Sequence, residues 1–233
     1  GDAPKTWNAP DIFVISLSLP TEAPASMFAP STDDGVGYTI AMYFVMRQDT
    51  RDILRRVTAD DYDPQNDKVE GDIQKSKVNA VKLFEEWVHR APNDPEFMSR
   101  FKFVPRMQNV KEAGLPSWMA AYNGKPVLIK RPGKTGFFYQ HPELSAMEFD
   151  VSLHPFPYVA KQAFSYLYQN MFKSLIGVFG FVIESRDDDE LPECLIGLTE
   201  LCYPDPAHCQ QGADLFAGTS RKSHGEDDGD DDE

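Results

Sequence analysis

The chain has 233 residues, 41% hydrophobic and 12% aromatic, and carries a formal net charge of −14. That apolar content suits a real core and excludes a wholly disordered chain. The acidic total argues against nucleic acid as a partner, because domains that bind it usually present a basic surface.

Residues 1–10 read as an extension with no charged-then-apolar leader pattern. Asp11 to Leu19 is a β-branched, aromatic run ended by Pro20, which predicts a strand. Thr21 to Gly37 is rich in Pro, Ala, Ser and Asp and predicts a loop. Tyr38 to Met46 is apolar nearly throughout, so a second strand is expected there, buried on both faces and antiparallel to the first.

Arg47 to Glu70 is polar and punctuated by Asp60, Asp61, Asp63 and Asp67, so residues 47–75 are expected to form an exposed insertion. The acids do not make a calcium loop, since the required glycine and terminal glutamate are misplaced. From Ser76 to Arg90, Val78, Val81, Phe84, Trp87 and Val88 recur at helical spacing, and Pro92 ends the helix.

The period then changes to two. Phe101 and Phe103 face one way and Arg100 and Lys102 the other, in a strand expected to end at Pro105. Trp118 to Tyr122, Val127 to Lys130 and Gly136 to Tyr139 read as short strands split by Asn123-Gly124 and Arg131-Pro132-Gly133. Met147 to Leu153 alternates apolar and polar. Tyr158 to Gly177 predicts a second helix, with Ala160, Phe164, Leu167, Met171 and Leu175 on one face. Val178 to Glu184 and Leu191 to Cys202 complete the strands.

Strands are grouped rather than alternating with helices. This order predicts an α+β fold, a mostly antiparallel sheet packed by two main helices, over residues 11–213. Residues 214–233 turn polar and then acidic, and disorder is expected from Gly218 onward.

Few residues suggest catalysis. His89, His141, His154, His208 and His224 sit apart, with no H-x-x-x-H, and there is no G-x-S-x-G elbow. Pro132-Gly133-Lys134-Thr135 resembles the end of a phosphate-binding loop, but Leu128 stands where the first glycine belongs. Cys194, Cys202 and Cys209 form no even framework and no C-x-x-C pair, which suits a reducing compartment. The expectation is a protein that is not an enzyme and uses no metal or cofactor. The longest apolar stretch, Phe164 to Ile183, is interrupted by Gln169, Asn170 and Lys173, as in a buried helix and strand rather than a membrane span.

Charge distribution supplies the first candidate site. The last nine residues carry seven acids and no base, whereas between Phe97 and Gln140 eight bases face Glu112 alone. Lys125, Lys130, Arg131 and Lys134 lie on or beside tight turns, where cations and backbone amides can converge on an anion. With Arg100 and Lys102 they form a candidate surface for anionic lipid. The same residues would equally suit a solvated edge that guards a sheet against aggregation. A second candidate is an apolar-ligand pocket lined by Phe164, Tyr168, Met171, Phe172 and Leu175, which would otherwise be ordinary core.

Several segments taken together resemble the plant Enhanced Disease Resistance C-terminal domain. They are Phe101-Lys102-Phe103-Val104-Pro105, Gly124-Lys125-Pro126-Val127-Leu128, Glu148-Phe149-Asp150-Val151, Phe181-Val182-Ile183-Glu184, and Glu190 to Gly197. Phe13-Val14-Ile15 and Tyr38 to Val45 are similar to the family's two preceding strands, so the resemblance spans roughly Pro10 to Tyr203. It implies a eukaryotic, non-enzymatic module associated with lipid or endomembranes from the cytoplasmic side. The alternative implied role is a scaffold whose sheet presents a surface to a protein partner. Glu184 is expected to pair with a nearby base.

Overall fold

Alternation in the strands sets the architecture. A computed structural model describes residues 5–24, 26, 35–63, 75–131 and 133–212. The predicted disorder from Gly218 onward and the second half of the polar insertion lie outside the described residues.

Two four-stranded sheets form instead of one. In the first, β1 (Ile12–Pro20) runs antiparallel to β2 (Gly37–Val45) and parallel to β6 (Ala146–Ser152). The last of these pairs antiparallel with β5 (Gly136–His141). The second sheet is antiparallel throughout, in the order β4 (Val127–Leu128), β3 (Phe101–Met107), β7 (Ile176–Ile183) and β8 (Leu195–Cys202).

The inward residues of both sheets are the apolar members of each period-two pattern: Phe13, Ile15 and Leu17; Met147, Phe149 and Val151; Phe101 and Phe103. Phe101 meets Phe149 across the interface at 4.5 Å between ring centroids, and Trp87 lies 5.4 Å from Phe149. Trp87, Phe101, Phe149 and Phe181 are all fully buried. Burying each such ring contributes about 2–3 kcal/mol, so this cluster is the principal source of cohesion between the sheets.

Both long helices are present, as α2 (Lys75–Arg90) and α5 (Tyr158–Asn170). Three shorter ones join them: α1 (Gln48–Val57), α3 (Pro95–Met98) and α4 (Ser117–Ala120). The fold is α+β.

Several expectations are corrected. The segment after Arg47 contains α1, whose Ile53 and Leu54 are buried, so its start is packed rather than an exposed insertion. Strand β2 is a sheet edge with Tyr43 and Val45 exposed, not a strand buried on both faces. Trp118 belongs to a helical turn instead of a strand. Strand β3 continues through Pro105 to Met107, because β4 pairs only with Lys102 and Phe103 and leaves the rest of that edge free of ladder bonds to it. Helix α5 stops at Asn170, a 3-10 turn covers Phe172–Ser174, and Ile176 already belongs to β7.

Candidate functional site

Phe103 marks the point where the solid interior ends. One edge of its surroundings is aromatic core, with Phe181 and Phe179 each 5.7 Å away. Beyond it a partly open cleft of about 450 Å³ lies between the two sheets, bounded by α4 and α5. Its floor takes Leu17, Leu19 and Ile40 from the first sheet and Phe103 and Phe179 from the second. Its helical wall takes Ala163, Phe164, Leu167 and Tyr168 from α5, followed by Phe172 and Leu175. The lining is overwhelmingly apolar, and the volume falls in the range of about 300–1,000 Å³ typical of small-molecule sites.

Four of the five residues predicted for an apolar pocket therefore line this cleft: Phe164, Tyr168, Phe172 and Leu175. Met171 is buried but does not line it. The sheet residues of the floor were absent from the sequence reading, as were Trp118, Met119 and Tyr122 of the rim. The floor could have been found from the period-two partners of Phe103 and Leu17. The rim was hidden because Trp118 and Tyr122, one helical turn apart, were read as strand.

The rim is chemically distinct from the floor. Trp118, Tyr122 and Val159 line the opening yet are about half exposed. Asn123 clamps this region to β3: its Oδ1 accepts from the Met107 N–H at 2.7 Å and its Nδ2 donates to the Met107 carbonyl at 2.9 Å. Gly124 follows at φ +75° and donates its N–H to the Pro105 carbonyl at 2.9 Å. A left-handed turn of this kind favours glycine. It delivers Lys125 to the surface, where its Nζ sits 5.3 Å from the Tyr122 ring centroid.

The remaining turn cations follow directly. Val127 lines the cleft, and Ile129 is buried with its N–H bonded to the Phe101 carbonyl at 3.0 Å. Lys130, Arg131 and Lys134 then project outward, all exposed. The Arg131 carbonyl accepts from the N–H groups of Lys134 and Thr135, and Gly133, at φ +72°, bonds the Gly136 carbonyl. A backbone held this tightly fixes where the cations stand. Among the described residues, none of Lys125, Lys130, Arg131 and Lys134 has a carboxylate partner.

Arg100 and Lys102 are placed differently. The guanidinium of Arg100 stacks 4.1 Å from the Phe97 ring centroid and pairs with Glu190 at 2.8 Å, both side chains largely buried. Burial pushes the Glu190 carboxyl up, but the Arg186 N–H and then the Arg100 guanidinium outweigh it and hold it below the usual carboxylate range. Lys102 lies 2.6 Å from Glu193 and 3.6 Å from Glu184, and Glu184 also accepts from Arg186 at 3.1 Å. The expected pairing of Glu184 with a base is present. These two cations are already neutralised, and the carboxylates that do so belong to the segment Glu190 to Gly197 and the end of β7.

On the outward face of β6, Glu148 accepts from the Ser16 hydroxyl at 2.8 Å. Asp150 stands two residues on, with Oδ1 buried and without a hydrogen-bond partner. Burial first, and then the neighbouring Glu148 carboxyl, push Asp150 up to about 6. Among the described residues no group of three or more His, Cys, Asp or Glu is placed to hold a metal ion, and no helix is long and apolar enough to cross a membrane.

A family model described as Protein ENHANCED DISEASE RESISTANCE 2, C-terminal, matches residues 2–205. The chain belongs to this family. No curated protein matches it, and neither does any solved structure. The match covers both sheets, the cleft and the basic turns. Within this Enhanced Disease Resistance domain, the segments that carried the resemblance divide by role. Phe149 and Val151 of Glu148-Phe149-Asp150-Val151 fill the core, Glu190 and Glu193 neutralise Arg100 and Lys102, and Gly124-Lys125-Pro126-Val127 shapes the cleft rim.

Proposed function

We propose that this domain is a peripheral lipid-interacting module that meets anionic membrane surfaces, works without a chemical step, and acts at the cytoplasmic side of endomembranes. The observation that carries the reading is an apolar cleft of about 450 Å³ opening among exposed Trp118, Tyr122 and Val159, beside cations for which the described residues supply no carboxylate partner.

Each part has a physical role. Tryptophan and tyrosine favour the boundary between headgroups and hydrocarbon, where one end of the ring is wet and the other apolar. Lys125 sits on that aromatic rim, and Lys130 lies three residues beyond the cleft-lining Val127, a span of about 10 Å in extended chain. A basic residue near an anionic bilayer contributes about 1 kcal/mol, attenuated over a Debye length of about 10 Å at 0.1 M salt. Apolar surface at the cleft adds a term that salt does not screen.

Flotation with vesicles tests this reading. The chain should float with vesicles rich in phosphatidylserine or phosphoinositide at low salt, lose much of that binding by 0.5 M salt, and stay down with neutral phosphatidylcholine. Equal behaviour with anionic and neutral vesicles would contradict it.

A protein-interaction role has its own supporting feature. A larger groove of about 720 Å³ lies between the two edge strands β2 and β8, where Tyr43, Val45, Leu195 and Leu198 are exposed. Its occupant under this reading is an extended peptide adding to the free edge of β8. Charge substitution at Leu198 would remove that interaction and leave flotation unchanged.

A further inference from the structure

We infer that the cleft takes a neutral lipid alcohol, and that the phenols of Tyr38 and Tyr168 read its hydroxyl group. This rests on the lipid-interacting role proposed above and assigns the ligand of that site.

The lining is the starting point. A space of about 450 Å³ equals about fifteen waters' share of liquid, yet apolar walls give water few partners. Such a space favours an apolar body, and a lipid must also place its polar end. Polar groups along the cleft are few, and most are occupied. Asn123 uses its amide on Met107, and Thr21 donates its hydroxyl to the Val36 carbonyl at 3.2 Å. Arg106 is exposed and shares the outward face of β3 with Lys102, while Phe103 faces in.

The two phenols remain. They face each other with ring centroids 5.5 Å apart and oxygens 3.4 Å apart, Tyr168 donating to Tyr38. A phenol has one O–H to donate and lone pairs to accept with, so a hydrogen-bonded pair always keeps one free donor and free acceptors. An alcohol is also both a donor and an acceptor and can close a ring with the pair. A carboxylate or phosphate only accepts and would leave the phenol acceptors unused, and Arg106, the one cation lining the cleft among the described residues, is exposed and already solvated. The hydrogen bond with Tyr168, and then burial, raise the Tyr38 phenol above its ordinary value, so Tyr38 stays neutral at physiological pH. The cationic turn and the phenol pair thus read different molecules: charged headgroups at the turn, an uncharged hydroxyl at the phenols.

A transfer assay on the full chain tests this apart from membrane binding. Neutral phosphatidylcholine vesicles are loaded with radiolabelled sterol, hexadecanol or hexadecanoic acid, and the label retained by the protein after gel filtration is counted. Retention of sterol or hexadecanol at up to one per chain is expected, the two arms distinguishing a ring system from a straight chain. Hexadecanoic acid at pH 8 should be retained at least tenfold less. Tyr38→Phe and Tyr168→Phe each remove one hydroxyl at constant shape and should lower alcohol retention about fivefold to tenfold. Ala163→Trp fills the cleft and should abolish retention; if that variant does not fold, the two phenylalanine variants decide. No retention of either alcohol, equal retention of the acid, or full retention by both phenylalanine variants would overturn the assignment. Flotation on anionic vesicles with no alcohol uptake would remove this inference alone, and uptake without flotation would remove the membrane-surface reading alone.

Discussion

Two sets of cations come from one basic stretch of the chain and do different work. Arg100 and Lys102 flank the core residue Phe101, lie largely buried, and each have a carboxylate within 2.8 Å. Lys125, Lys130, Arg131 and Lys134 stand on turns, exposed and without carboxylate partners among the described residues. Net charge along a sequence does not separate these cases, because the neutralising acids Glu184, Glu190 and Glu193 arrive from a distant segment. A buried pair spends its attraction on desolvation and geometry, while a free exposed cation keeps its field for a partner.

The largest expected effect follows from removing the free set. Replacing Lys125, Lys130, Arg131 and Lys134 with alanine should weaken binding to anionic vesicles about a thousandfold at low salt, at about 1 kcal/mol for each cation. Thermal stability should barely move. Binding that survives intact would erase the distinction between the two sets.

Arg100→Ala should do the reverse. It leaves Glu190 largely buried without its partner and strips the stack on Phe97, at a cost of about 3 kcal/mol in urea denaturation. Vesicle binding by the folded fraction should hold. The double variant Arg100→Met with Glu190→Leu should recover most of the stability, since an apolar pair has no desolvation cost.

Asp150 sharpens the contrast from the acid side, because its neighbour is a carboxyl rather than a cation. Its folded value of about 6 lies above the ordinary 3.8, so the folded chain binds the extra proton between these values. Stability from this group is fully present below about pH 4 and falls as pH rises through 6. Asp150→Asn should raise the melting temperature at pH 7 by the equivalent of roughly 1 kcal/mol, discounted for solvent screening. At pH 4 the two proteins should melt together.

The smallest effect concerns the acidic residues Gly225 to Glu233. If they compete with anionic lipid for the free cations, their deletion should strengthen vesicle binding roughly threefold at low salt and not at all at high salt. Unchanged binding at low salt would remove that competition.

Much of the fold was legible in the sequence because strand alternation and helix periodicity are local. The inward pair Phe101 and Phe103, and the antiparallel pairing of β1 with β2, follow from those patterns. What stayed hidden was set by partners far along the chain. Tyr38 to Met46 reads as a fully buried strand by composition, yet sheet order makes it an edge. Ile53 and Leu54 are two apolar residues in a polar segment, too few to signal the helix that buries them. The cleft was half visible: the apolar face of α5 predicted its wall and strand alternation offers its floor residues, but that the two stand apart around a space is a tertiary property that no local pattern encodes. Whether a cation is free or paired is likewise a tertiary property.

Hydrogen exchange with and without anionic vesicles tests the central claim most directly, because it reports every region at once. Bilayer contact at the cleft rim and the basic turns predicts slowed exchange over residues 117–131 and 158–172, with the edges of β2 and β8 unchanged. Slowing confined to residues 37–45 and 195–202, with the cleft rim unaffected, would contradict it.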